Sequence, residues 1–400
     1  MNGRSHTKKN DGNDLALNKR EVDRAATTTP PRRIALTLAA AALGVSTAAF
    51  AHHGFGLFDR SKEMTFTGVI TGIDFVNPHS YLHFDAVNAA GETVAMRCEM
   101  RAATLMRRSG WSKEMFVIGA RATVYGFGHR NDPAACYLED ITIGDAPGFN
   151  RNDQFTTTAV DVSDRPLRLP SGEPNLSGDW AQEQYVIAVP PGGGSGALVP
   201  KSMIAGVEAG ELAIAQVPPS GWGPRPVTFT GRGQAEADAF RMWSPEDNPR
   251  LRCRPTSIIF DWVFDGAVNR IAQEEDRIVI NYGLYSFERV IHMNVDEHPA
   301  NIDPSYAGHS IGRWEGDVLV VDTIGFEPGV IAAPVRHSDR LHIVERFQLD
   351  PETLALERDY VAEDPVYFTD QYVGSDTVLV ADVPYVAHPC DELAPEFIPE

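Results

Sequence analysis

Three ionisable residues sit where extended strands would bury them. Arg289 alternates with Phe287, Ile291 and Met293, Asp322 with Val318, Val320 and Ile324, and Glu345 with Leu341, Ile343 and Phe347. Residues two apart share a strand face, so each charge falls on an apolar face. A buried charge costs several kcal/mol unless it is paired, which makes Asp322 or Glu345 the natural partner of Arg289. His309, His337 and His342 lie within 34 positions of one another and are expected together at one mouth of a barrel. An imidazole beside a carboxylate donates or accepts a proton near neutral pH. With Arg289 steadying an oxyanion and a histidine moving the proton, these six residues would serve a cofactor-free isomerisation, dehydration, hydration or cyclisation. The plainer reading of the charges is a structural ion pair inside the barrel.

A second constellation lies near the start. His52, His53, His79 and His83 fall within 32 positions, and the period of two puts His79, Tyr81 and His83 on one strand face. If His52 becomes the first residue, its amine and ring nitrogen can chelate Cu(II), and a further histidine completes a three-nitrogen site. Copper is therefore a candidate cofactor. The alternative is a pair of exposed terminal histidines with His79 capping a turn.

Familiar engines are missing. No P-loop, no Gly-x-Gly-x-x-Gly before a helix, no His-Glu-x-x-His and no Gly-x-Ser-x-Gly elbow is recognised, so nucleotide, zinc-protease and esterase chemistry fall away. The 35 Lys/Arg against 55 Asp/Glu give a net charge of −20, which repels a phosphate backbone and speaks against nucleic acid as a partner.

The elements that must position these residues follow from pattern. Residues 1–51 read as a signal peptide: a polar leader ending in Arg32-Arg33, an uncharged Ala/Leu-rich run from Ile34, and the small-x-small Ala49-Phe50-Ala51. Its removal leaves 27 Lys/Arg against 51 Asp/Glu, a net charge of −24, and no stable membrane span. Export to the periplasm or medium makes the four cysteines two expected disulfides, with domain layout favouring Cys98–Cys136 and Cys253–Cys390 among three pairings.

Within 52–146, strands over 63–72, 80–86, 93–98, 120–127 and 137–143, with a helix over 101–109 between the third and fourth, give the element order of a small OB-like five-stranded barrel. Residues 147–174 lack periodicity and read as a linker. Over 175–400, Gly178-Asp179-Trp180 opens a set of short runs (258–264, 267–273, 277–284, 287–294, 310–314, 318–324, 341–349, 353–362, 371–381) separated by tight turns. This is the pattern of an up-and-down antiparallel barrel or a sandwich, and the Gly-x-Trp start favours a lipocalin-like barrel holding a small hydrophobic ligand. A Gly/Pro-rich insertion, 190–226, reads as a lid or loose loop with a helix near 204–215, and a second helix is expected over 231–242.

Two resemblances accompany this reading. His52-His53-Gly54-Phe55, Phe58-Asp59, Asn77-Pro78-His79-Ser80-Tyr81 and Arg107-Arg108-Ser109-Gly110-Trp111 resemble an uncharacterised family of small exported bacterial barrel proteins over 52–146. Arg289 to Met293, His298-Pro299, Gly308 to Asp317, Val321 to Phe326, His337-Ser338, Leu341 to Phe347 and Glu363-Asp364-Pro365 resemble a large group of exported bacterial hypothetical proteins over 230–395. The resemblances imply export and barrels, with no agreed activity.

The expectation is thus a mainly β, exported two-barrel protein that binds a terpenoid, steroid or aromatic molecule and works on it with His/carboxylate chemistry. A copper-binding periplasmic protein and a non-catalytic envelope interaction protein are the alternatives. Neither barrel requires an oligomer.

Overall fold

The computed structural model describes residues 58–387 apart from 89, 156–160, 163, 189–190, 192–196, 219, 243, 245, 265 and 286. The expected signal peptide and the histidines His52 and His53 lie outside the described residues.

The first sheet comprises β1 (Phe58–Asp74), β2 (Tyr81–Val87), β3 (Thr93–Glu99), β4 (Arg121–His129), β5 (Ala135–Ile143) and β6 (Phe149–Asn150), hydrogen-bonded in the order β3-β2-β1-β4-β5-β6. A further parallel pairing of β3 with β5 returns the order to its starting strand. Cys98 and Cys136 stand opposite each other in that pairing and form a disulfide, which staples the closing strands. Ile70, Leu82 and Phe84 alternate inward, as their spacing requires. They meet Met106 of helix α1 (Ala103–Arg108) and Trp111 in one apolar cluster.

The second body is a closed barrel. Its strands are β7 (Gly178–Ala181), β10 (Asn269–Gln273), β11 (Arg277–Tyr282), β12 (Phe287–Met293), β13 (His309–Glu315), β14 (Val318–Ile324), β17 (His342–Leu349), β18 (Leu356–Glu363) and β19 (Tyr372–Val380). They pair in the order β10-β11-β12-β13-β14-β17-β18-β19, with β7 closing the ring between β19 and β10. The pairings are antiparallel except β12 with β13, which run parallel. Parallel neighbours need a connection that travels back along the strand. Residues 294–308 make it, with left-handed backbone at each end: φ is 61° at Asn294 and 63° at Gly308. A Cβ at Gly308 would run into the Ile324 carbonyl, so glycine admits both the close approach and the positive φ.

One expected strand is overturned. Within the run 258–264, Phe260–Val263 forms helix α4. The Ser257 hydroxyl accepts from the amides of Ile259 (3.2 Å) and Phe260 (3.0 Å), and Asp261 N–H reaches Ser257 O at 3.0 Å, which turns the chain into a helical start. Trp262, on this helix, packs edge-on to Phe347 and Tyr282 in the barrel core.

The segments read as linker and loose insertion are docked where they are described. Phe149 and Phe155 pack edge-on against Trp111, and the Arg165 guanidinium covers the fully buried Trp180 ring at 4.7 Å. In the insertion, β8 (Tyr185–Ala188) pairs with β9 (Ala197–Pro200), and α2 (Ile204–Glu208) packs on β8. Helix α3 (Gly231–Asp238) is shorter than the expected 231–242. A further hairpin of β15 (Gly329–Ala332) and β16 (Val335–His337) had no counterpart among the expected strands.

The two bodies share a polar seam. Arg108, at the end of α1, donates to Asp382 Oδ1 (2.8 Å) and Gln182 O (2.7 Å), and Gln184 donates to Ser109 Oγ at 2.7 Å. The described residues belong to one compact unit. No helix among them is long and apolar enough to cross a membrane.

Candidate functional site

The six expected barrel residues separate into three groups. Arg289 and Glu345 meet in the barrel interior and form an ion pair with both side chains at 0% exposure. Arg289 also donates to Ser310 Oγ (2.9 Å) and Thr323 Oγ1 (2.8 Å). Arg358, not among the expected residues, bonds the other Glu345 oxygen at 3.0 Å, Asp376 at 2.6 Å, and the carbonyls of Ile258 and Ile259. Burial pushes Glu345 up, but the two guanidiniums outweigh it and hold the carboxyl below the usual range. For Asp376 burial wins and the carboxyl stands above its ordinary value despite Arg358. Trp262, Tyr282 and Phe347 belong to the same buried core, and the network is a fully buried charge cluster within it.

Asp322 lies on the other face. Leu319, Val321 and Thr323 point inward, so Asp322 faces out. Its two oxygens hold two imidazoles: Oδ1 meets His298 Nε2 at 3.0 Å and Oδ2 meets His342 Nε2 at 3.1 Å. His298 Nδ1 lies 2.8 Å from His309 Nδ1, and His292 stacks on His309 with ring centroids 4.9 Å apart. The positions follow from register. His292 pairs with Ile311, Ile311 with Asp322 and Asp322 with Val344 in one row across β12, β13, β14 and β17, and the crossover returns His298 to that wall.

One neutral assignment satisfies these contacts. His298 Nε2–H donates to Asp322, His298 Nδ1 accepts from His309 Nδ1–H, and His309 Nε2 is left as the lone-pair nitrogen. Burial pushes Asp322 up, yet its two histidine bonds bring it below the usual carboxylate range, so it stays ionised. Burial, with His292 and His298 nearby, lowers His309 below an ordinary histidine. A neutral imidazole backed by an imidazole and a carboxylate has the chemistry to accept a proton.

His337 stands apart from this group, correcting the expectation of a common mouth. It ends the β15–β16 hairpin, 5% exposed, and its Nδ1 contacts Ser338 O at 3.0 Å. Burial lowers its basicity. The ring lines a cavity of about 180 Å³ between the hairpin and residues 246–256.

In the first sheet, His79 Nδ1 contacts Glu99 at 2.8 Å and His83 Nε2 contacts Asp74 at 2.7 Å. Each imidazole is held by its own carboxylate, and among the described residues no group of three or more His, Cys, Asp or Glu is arranged to hold a metal ion. Cys253 is disulfide-bonded, while Cys390 lies outside the described residues.

A literal Gly-x-Ser-x-Gly at 308–312 was passed over in the sequence reading. Ser310 sits mid-strand at 0% exposure, bonded to Arg289 and Thr323, so the nucleophile elbow is not built there. Of the residues the sequence reading missed, Arg358 carried the same signal as Arg289, since it alternates with Leu356, Tyr360 and Ala362. His292 and His298 carried none beyond their presence, because only the path of the crossover brings them to Asp322.

Residues 41–136 match a family of unknown function, DUF6152. This agrees with the uncharacterised family expected over 52–146. No curated protein and no solved structure matches the chain.

Proposed function

We propose that this chain is an exported, cofactor-free acid–base catalyst, an isomerase or lyase, acting on a small and largely apolar molecule at the outer wall of the barrel. The relay Asp322–His298–His309 carries the reading, because it gives His309 Nε2 a lone pair and a route for charge into a carboxylate. Ile311, Ile324 and Val344 neighbour the relay in register and offer apolar contact to a terpenoid, steroid or aromatic ring. This reading puts the ligand on the outer wall, where Asp322, His298 and His309 meet, and not inside the barrel. The Cys98–Cys136 bridge supports an oxidising, periplasmic or secreted setting. The ring of pairings in the first sheet supports the OB-like reading, and the Gly178–Trp180 entry into a closed barrel supports the lipocalin-like one.

The test is proton exchange. Cyclic ketones and enones such as carvone, incubated in D₂O with the protein, are followed by NMR for deuterium uptake next to the carbonyl. Uptake above buffer that falls roughly 100-fold or more in His309→Gln, and by a smaller factor in Asp322→Asn, is expected. Uptake equal to buffer, or unchanged in His309→Gln, overturns the reading.

A further inference from the structure

The cavity beside His337 is separate from the Asp322 relay, and its lining is specific in chemistry. A carbonyl oxygen only accepts, so the contact with Ser338 O places the proton on His337 Nδ1 and makes Nε2 the acceptor. No hydrogen-bond partner for Nε2 is found among the described residues. Gly329 is the reason Nε2 has space in front of it: a Cβ there would lie 2.9 Å away. Thr256, 6% exposed on the same lining, has a buried hydroxyl without a partner. The Thr256 hydroxyl is sealed from the cavity, so the group that faces it with its bonding capacity unused is His337 Nε2, on a ring more than nine-tenths buried.

The charges narrow the ligand. Asp247 is bonded to Arg241 and Arg336 at 2.7 Å each, and Glu246 lies 3.6 Å from both Arg241 and Arg252. What remains on the lining is one charge of each sign, Arg254 and Glu327, neither with an ion-pair partner among the described residues. Tyr306 OH lies 3.5 Å from Arg254, adding a donor beside the guanidinium. Three Arg and three carboxylates line the cavity, so a ligand of zero net charge leaves it balanced. The ligand must supply N–H or O–H to His337 Nε2, a cation for Glu327 and an anion for Arg254.

We propose that this cavity binds a free α-amino acid in its zwitterionic form. The ammonium group donates to His337 Nε2 and faces Glu327, and the carboxylate takes Arg254 and Tyr306. The volume of about 180 Å³ equals the liquid share of roughly six waters, enough for a small amino acid.

The experiment is calorimetric titration of the full mature chain with individual amino acids, and with propionate, lactate and alaninamide as analogues lacking one charge. At least one amino acid is expected to bind saturably below about 10 mM, with each analogue weaker by roughly tenfold or more. Gly329→Ala, which fills the space before Nε2, should abolish binding. Arg254→Gln, at an exposed position that does not test folding, should weaken it roughly tenfold. Saturable binding by none of the amino acids, binding of lactate or propionate equal to alanine, or an unaltered affinity in Arg254→Gln overturns the proposal.

Discussion

Arg289 and Glu345 form a fully buried pair in the barrel, and Arg358 bonds the other oxygen of the same carboxylate, so a single anion serves two guanidiniums. Removing it alone leaves two buried cations with only Asp376 between them. Glu345→Ala should therefore lose about 3–5 kcal/mol in urea unfolding. The double variant Arg289→Met with Glu345→Leu keeps the Arg358–Asp376 pair and should recover most of that loss. A double variant no more stable than Glu345→Ala would show that the network does more than neutralise charge.

His309 should titrate below an ordinary histidine, because burial and the neighbouring His292 and His298 disfavour its charged form. His292→Ala removes one of those neighbours and should bring the titration partly back up, as followed by the ring C–H resonance in NMR. Any rate that depends on His309 as base should rise through its depressed pKa and stay flat above it. A rate that falls with rising pH across that range would mean His309 acts in its protonated form.

Asp261 gives a stability signature. Buried in the barrel, with the amides of Thr256 and Ser257 on one oxygen, its carboxyl is pushed up to about 7 from 3.8. The folded state then holds a proton that the unfolded chain releases. Stability from this group is complete below pH 3.8 and is lost as pH rises to about 7, at up to about 1.4 kcal/mol per pH unit. Asp261→Asn should match the wild type near pH 4 and become increasingly the more stable of the two up to pH 7, measured as Tm against pH. Parallel Tm curves would contradict the raised pKa.

The Cys98–Cys136 bridge closes a loop with a sequence separation of 38. By loop entropy its loss, in Cys98→Ala with Cys136→Ala, should cost about 3–4 kcal/mol. The unfolding midpoint should drop for the first sheet with Trp111 fluorescence as reporter, and reductant should have no further effect on that transition.

How much of this was legible in the residues depends on whether the signal was local. The Arg289–Glu345 pair was readable because both strands have one apolar face and the charge falls on it. Asp322 was misplaced because β14 is apolar on both faces: Val320 on the outer face is as buried as Leu319 on the inner one. A period of two cannot say which face is the core in such a strand. The run 258–264 was misread for a related reason, since a short apolar run is strand-like or helix-like by periodicity alone, and Ser257 decides it through two amide bonds. His298 needed the path of a 15-residue crossover, which only the parallel pairing of β12 and β13 dictates.

The strand that closes the large barrel has only four residues and comes first. β7 pairs Trp180 with Asn269 on one side and Ala181 with Leu379 on the other. Its partner on β19 is therefore about two hundred positions downstream, one of the most distant contacts the chain makes. A chain emerging from its N-terminus can pair β7 with β10 once residue 271 has appeared, but the other edge of β7 stays open, and the ring unclosed, until β19 arrives. Folding of this barrel is governed by late, long-range closure, and its period of greatest exposure to edge-to-edge association falls just before the last strand arrives.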